Sequence, residues 1–212
     1  PPAGSWIGDR APNASGYFPR RSAGGVVYVL IPPGKDGDGK PVASFFLAKD
    51  ELSQRALVRV GARDPAFGEL EIPSGADDYP QRVGSAAEWS RYLVVLHARL
   101  PTETEWEHAA MGGGGGPYPW GGDEPRGRAV FGGGEARATG TLAPNGYGLR
   151  DVAGNYAEWC LATSGAARFV VKGGACEDED EASLKIKARS AVVETAPKPA
   201  GLRLARSIRP RD

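Results

Sequence analysis

The first regular pattern in the chain is an unbroken apolar run, VVYVLIPPG at residues 26–34, which closes on two prolines. β-Branched and aromatic residues in a run of that length predict a buried strand. The prolines, which cannot donate to a sheet ladder, predict where it stops. KDGDGK at 35–40 is turn chemistry throughout, and VASFFLA at 42–48 predicts a second strand. Residues 51–60 predict a short helix. Two further helices announce their starts. Ser85 with Glu88 forms a capping-box pattern ahead of Trp89, Tyr92, Leu93 and Leu96. Thr102 with Glu105 forms another, with Trp106, Ala109 and Ala110 as the buried stripe. Glu103, Glu105 and Glu107 crowd the helix end where the dipole favours negative charge. Residues 169–172, 184–189 and 202–205 read as strand-like pieces.

Between residues 112 and 147 there is almost no periodicity. A connection that long is uncommon in a compact domain unless packing or a ligand holds it. Residues 1–25 are rich in Pro, Gly, Ser and Arg, with isolated rings at Trp6, Tyr17 and Phe18. They read as an irregular lead-in to one domain spanning 26–212. No repeat of solenoid length is present. The pattern describes a small α+β domain with unusually long loops.

Composition narrows the picture in three ways. Lysine plus arginine equals aspartate plus glutamate, at 26 each, so nothing biases the chain toward nucleic acid or an anionic membrane surface. No apolar run approaches the ~20 residues of a membrane span, and no signal-peptide pattern opens the chain. That favours a cytoplasmic setting, and the initial proline suggests a portion of something larger. The 31 glycines among 212 residues are about twice the ~7% average and demand many turns. Cys160 and Cys176 are the only cysteines, too few for a disulfide framework, and are expected to be free, buried thiols.

Six stretches, in order, carry a resemblance: VVYVLIPPG, RLPTETEWEHAA (99–110), YPWGGDEP (118–125), NGYGLRDVAGNYAEWC (145–160), VKGGAC (171–176) and GLRLAR (201–206). Together they resemble the sulfatase-modifying-factor family, whose archetype is the formylglycine-generating enzyme. The resemblance covers residues 26–208 and implies a C-type-lectin-like α+β fold: a small twisted antiparallel sheet, two main helices and much irregular chain. The archetype converts a sulfatase cysteine to formylglycine with copper held by two cysteines after its GGS segment, since soft thiolates suit Cu(I). Aligned from Gly173 and Gly174, those two positions fall on Asp178 and Ser183, the serine on Ala175, and an active-site tryptophan on Ala157. Cys176 stands at an aromatic position between them. The resemblance therefore implies a family member without that oxidation chemistry.

A second enzymatic branch binds iron through histidines that come largely from an extra helical domain. This chain has only His97 and His108, which are expected in packing or surface roles. The resemblance also implies a calcium site: the Asp151 side chain, the Gly154 and Tyr156 carbonyls and the Glu158 side chain. Calcium takes six to eight hard oxygens at ~2.3–2.6 Å, and this turn offers four. The alternative is that Asp151 and Glu158 cap the turn and pair with arginines such as Arg150.

The acidic run at residues 177–181 either sits on a solvated loop or attracts a basic peptide or a cation. These features imply a non-catalytic module for a protein or peptide ligand, with a basic ligand suited to the acidic run, within a larger signalling or defence protein. Two alternatives stand beside it. One is a copper-dependent oxidase or oxygenase with a rearranged site, using Cys160 and Cys176 together. The other is a hypervariable ligand-binding protein of a diversity-generating retroelement, whose variable stretch would lie at 176–200. The sequence leaves the oligomeric state open.

Overall fold

The computed structural model describes residues 7–8, 20–22, 25–61, 78–192, 195–196 and 200–208. In chain order its elements are β1 (Ile7–Gly8), β2 (Arg20–Arg21), β3 (Val27–Ile31), β4 (Gly34–Lys35), β5 (Pro41–Val42), β6 (Phe45–Ala48), α1 (Gln54–Gly61), α2 (Ala86–Val95), α3 (Glu103–Met111), β7 (Ala157–Leu161), β8 (Phe169–Lys172), β9 (Ser190–Val192), β10 (Ala200–Gly201) and β11 (Ala205–Ser207). Among the described residues the larger sheet runs β1-β2-β3-β6-β11, with every neighbour antiparallel. The other runs β10-β7-β8-β9, with β10 parallel to β7 and the remaining pairs antiparallel. Two short lead-in strands, β1 and β2, thus extend the edge beside β3. Trp6, Tyr17 and Phe18 lie outside the described residues.

Apolar continuity in β3, β6 and β8 is explained by burial on both faces. Successive strand residues point to opposite sides. Tyr28, Phe46 and Ala48 join one core cluster with Leu93, Leu96, Trp159 and Phe169. Their neighbours Val29, Ile31, Phe45 and Leu47 join another with Trp106, Ala109, Leu149 and Val170. Helix α2 starts on its Ser85 cap, although the Glu88 side chain accepts from Gly84 N rather than from Ser85 N. Helix α3 has both halves of its box, Thr102 with Glu105, and ends on left-handed Gly112.

Three expectations are corrected. Helix α1 begins at Gln54, because the Leu52 amide donates to Leu202 O and the Leu52 carbonyl accepts from Gln81 N, which pins that residue in extended chain. Residues 184–189 are not a strand. The Asp180 side chain accepts from Ala182 N and starts a 3-10 turn over Glu181–Leu184, and a further turn delays β9 to Ser190. Residues 202–205 are mostly a crossing between β10 and β11, with the Leu202 and Leu204 carbonyls tied to Leu52 and Ala48. Strand β7, which no apolar run announced, lies at the centre of the second sheet beside β8.

The long stretch after α3 is irregular but tethered. The Asn145 amide donates to the Ala109 and Ala110 carbonyls at the end of α3, while its oxygen accepts from Tyr147 N and Leu149 N. The Gly132 amide donates to Asp178 O, and those of Gly133 and Gly134 to Cys176 O. Backbone groups that a helix or sheet would satisfy are met here by neighbouring loops.

Candidate functional site

The polar centre of the molecule is Arg203, fully buried between the two sheets, and every donor of its guanidinium is used. Nε faces both Glu158 oxygens at 2.9 and 3.0 Å, and Nη2 donates to Glu158 Oε1 at 2.6 Å. Nη1 donates to the Ala48 and Lys49 carbonyls, and Nη2 also reaches the Arg150 and Asp151 carbonyls. Glu158 Oε2 further accepts from Trp106 Nε1 at 2.6 Å. One charged cluster therefore joins β6, α3, β7 and the crossing before β11. Burial pushes the Glu158 carboxyl up, and Arg203 opposes that rise.

A second buried carboxylate, Glu51, stands beside this pair. It accepts from Asn155 Nδ2 at 2.6 Å and from Tyr156 N at 3.0 Å. Burial drives its pKa well above the ordinary carboxylate range, the negative Glu158 adds to the rise, and Arg203 counters it. Asn155 completes the turn by accepting from Arg137 N and donating to Arg137 O. Asp151 caps the same turn. Its carboxylate accepts from Gly140 N and from Leu142 N, and burial raises its pKa against the pull of the Gly140 amide. Asp151 and Asn155 both hold left-handed backbone, which their short polar side chains tolerate. At Gly154, φ is also positive, and a β-carbon would collide with Val130 backbone, so glycine is required.

The four residues implied as calcium ligands do meet at this turn, but as a ligand set they do not fit. A carboxylate offers about four lone-pair sites. Both Glu158 oxygens are already engaged: three N–H donors, two of Arg203 and one of Trp106, converge on them. A cation could take Glu158 only by stripping a buried guanidinium of its counter-charge. The turn is built as the capping alternative describes, with Arg203 in the role expected of Arg150. Arg150 pairs instead with Asp50 at 2.8 Å. Among the described residues no group of three or more His, Cys, Asp or Glu side chains is placed to hold a metal.

The segment after β8 is where the archetype's copper site would lie. Gly173 and Gly174, both at positive φ, turn the chain out of the strand. Asp178 is then folded inward, only 5% exposed, and its Oδ2 accepts from Ala175 N at 2.9 Å. Ser183 Oγ donates to Asp180 O at 2.8 Å within the 3-10 turn. Glu177, Glu179, Asp180 and Glu181 face solvent, so the acidic run is a solvated rim with one inward member. Cys160 and Cys176 are free and buried, but in different surroundings. Cys160 sits in the apolar cluster with Trp106 and Val170, while Cys176 N bonds Asn155 O on the loop side. Burial raises both thiols, Cys160 far more, with Glu158 and Glu177 respectively adding to the rise. Protonated thiols are poor nucleophiles and poor metal ligands.

Sequence reasoning gave the acidic residues of α3 a dipole role and missed their main one. Glu107 binds buried Lys172 and half-exposed Lys187, each at 2.7 Å, while Glu103 takes Arg189 at 3.1 Å. His108 is packed under β4, its ring nitrogens 3.1 and 2.9 Å from the Lys35 and Pro32 carbonyls, and His97 is exposed at the end of α2. Arg203 and Glu51 were missed too. The available signal was a charge flanked by apolar residues, Arg203 between Leu202 and Leu204 and Glu158 in AEWCL, each of which demands a buried partner.

The antiparallel sheet, the mixed sheet, the helices packed across them and the long tethered loops define an α+β, C-type-lectin-like fold. PvdO from Pseudomonas aeruginosa shares it, with a TM-score of 0.68 over 98% of this chain and 100% of that one, at 17% identity. The family model described as sulfatase-modifying factor enzyme 1-like domain matches residues 42–208, and the chain belongs to that family. It is 51% identical over 107 residues to the formylglycine-generating enzyme of Thermomonospora curvata, covering 41% of this chain and 35% of that protein. It is 44% identical over 94 residues to the serine/threonine-protein kinase pkn1 of Chlamydia pneumoniae, covering 44% of this chain and 15% of that protein. The aligned stretches thus span about a third or less of either relative's length.

Proposed function

We propose that this domain is a non-catalytic recognition module of the family, binding a protein or peptide. The observation that carries the reading is Asp178. Where the archetype places a copper-binding thiolate, this chain has a carboxylate turned inward to close its own loop on Ala175 N. Ala157 and Ala175 remove two further side chains of the implied site, and the two remaining thiols are free and buried in different surroundings. A rearranged copper centre finds no support in that arrangement. The kinase relative supports a module carried within a larger signalling protein, since the match there is a small fraction of the whole. Four exposed carboxylates at residues 177–181 favour a basic ligand. That attraction should weaken with salt, because the ~8 Å Debye length at physiological ionic strength screens exposed charge.

The test is incubation of a sulfatase-type peptide with copper-loaded protein and oxygen, followed by mass spectrometry. The reading expects an unchanged peptide. A mass loss matching conversion of cysteine to aldehyde overturns it.

A further inference from the structure

One cavity, of about 370 Å³, is lined by none of the residues discussed for copper chemistry or by the acidic rim. Its walls come from the loop after α3 and the turn before β7, including Pro119, Trp120, Arg126, Pro144, Leu149 and Val152. Its size falls within the ~300–1,000 Å³ typical of small-ligand sites.

The wall carrying Trp120 is built to be rigid. Tyr118 and Gly121 exchange two backbone hydrogen bonds, at 3.1 and 3.0 Å, closing a tight turn around Pro119 and Trp120. At Gly116 a β-carbon would strike Gly121 backbone, so the chain can fold back there only without a side chain. The Ile186 amide donates to Pro117 O and ties this turn to the core. The Trp120 ring is fixed twice more. Its Nε1 donates to Asp123 O at 3.0 Å, and Tyr118 stacks on it with centroids 5.2 Å apart and planes 7° apart. With the indole N–H engaged and one face covered by Tyr118, Trp120 offers the cavity apolar ring surface held in one orientation.

Charge at the cavity is asymmetric. Arg128 is engaged with Asp123 at 3.2 Å, whereas Arg126, exposed at the rim, pairs with no carboxylate among the described residues. The acid on the inner wall, Asp151, is committed to the Gly140 and Leu142 amides. The cavity thus combines a fixed aromatic plate, two prolines and an available guanidinium.

We infer that this cavity binds an aromatic carboxylate, its ring against Trp120 and its carboxylate on Arg126. Offset ring stacking suits the fixed plate, and a guanidinium suits a carboxylate through paired, charge-assisted hydrogen bonds. The chemistry has two sources, a free aromatic acid or the C-terminal residue of a peptide ending in an aromatic side chain. The inference goes beyond the recognition role proposed above and does not depend on the acidic rim.

The experiment is isothermal titration of the chain with four probes: indole-3-acetate, its neutral amide, and an N-acetylated peptide ending in phenylalanine with a free or an amidated C-terminus. At least one carboxylate probe is expected to bind saturably, with Kd below about 1 mM, and the better of the two carboxylates identifies the source. Its amide should bind roughly tenfold more weakly, and Arg126→Ala should reduce the carboxylate to about that level. Trp120→Ala should weaken acid and amide alike by roughly tenfold, and Trp120→Phe should restore most of the loss. Arg126 is exposed, so its variant tests the charge without endangering the fold. Absence of saturable binding by both carboxylates, equal affinity for acid and amide, or unchanged affinity in both alanine variants overturns the inference. None of these outcomes bears on the sulfatase-peptide assay.

Discussion

Replacing Arg203 with methionine keeps an unbranched stem in the core and removes only the guanidinium. The consequences follow from its contacts. Glu158 would be left fully buried with a single donor, Trp106 Nε1, and four backbone carbonyls, of Ala48, Lys49, Arg150 and Asp151, would each lose a donor. Breaking a buried ion pair by removing one partner typically costs about 3–5 kcal/mol, because the other charge stays buried without compensation. For a domain near this size each kcal/mol moves the midpoint by about 2–4 °C, so the expected loss is roughly 6–20 °C. The double variant Arg203→Met/Glu158→Gln separates charge from packing. With no stranded carboxylate, it should be less destabilised than the sum of the two single variants, by about 0.5–3 kcal/mol of coupling. Urea unfolding followed by tryptophan fluorescence and by circular dichroism supplies all four corners of the cycle. An Arg203→Met protein within about 1 kcal/mol of the parent, with one cooperative transition, refutes the argument that this pair holds the two sheets together.

The remaining expectations concern the same centre and its surroundings. Because both Glu158 oxygens are engaged by Arg203 and Trp106, a calcium chelator should leave the melting midpoint unchanged, and a drop of several degrees that calcium reverses would show that the ion displaces Arg203. The Glu51 carboxyl has a folded pKa above its unfolded one, so the native state holds a proton the unfolded chain releases, and this residue's contribution to stability declines as pH rises from the unfolded pKa through the folded one. Comparing urea midpoints from about pH 5 to about pH 7, Glu51→Gln should show a shallower decline than the parent, and parallel slopes would contradict the assignment. Alkylation without reductant should label neither cysteine in the native protein and two after denaturation; no label even then would reveal a disulfide.

Legibility in the sequence divided along a physical line. Elements whose stabilisation is local could be read directly. The runs around Val29 and Phe46 are strands because both faces are buried, and Ser85 and Thr102 start helices because their hydroxyls meet the third amide onward. What could not be read was whatever depends on partners far along the chain. Strand β7 holds Glu158 as its second residue, which looks unlike a core strand until Arg203, 45 residues later, supplies the counter-charge. Glu103 and Glu107 satisfied a local rule about helix dipoles, and that concealed their partners Lys172, Lys187 and Arg189. Residues 184–189 looked extended by composition, but the Asp180 cap committed the backbone to turns. At the candidate site, the sequence grouped Asp151, Gly154, Tyr156 and Glu158 and named two possible uses of the carboxylates. Only geometry could show which atoms occupy Glu158.

That outcome separates two kinds of residue within the family's motifs. Glu158, Arg203, Trp106, Asn155 and Gly154 lie in the segments that carry the resemblance, and each is explained by the fold alone: a buried ion pair, an indole hydrogen bond, and a turn that collides with Val130 if a side chain is added. Such residues serve the fold whatever the domain does. The cysteine positions implied for copper chemistry, Asp178 and Ser183, lie in the segment after Gly174, where the chain leaves the sheet. Asp178 fits there by bonding its own loop. Motif matches in this chain are therefore evidence about architecture. Evidence about function has to come from the parts the architecture leaves unconstrained, which are the loop after Gly174 and the cavity beside Trp120.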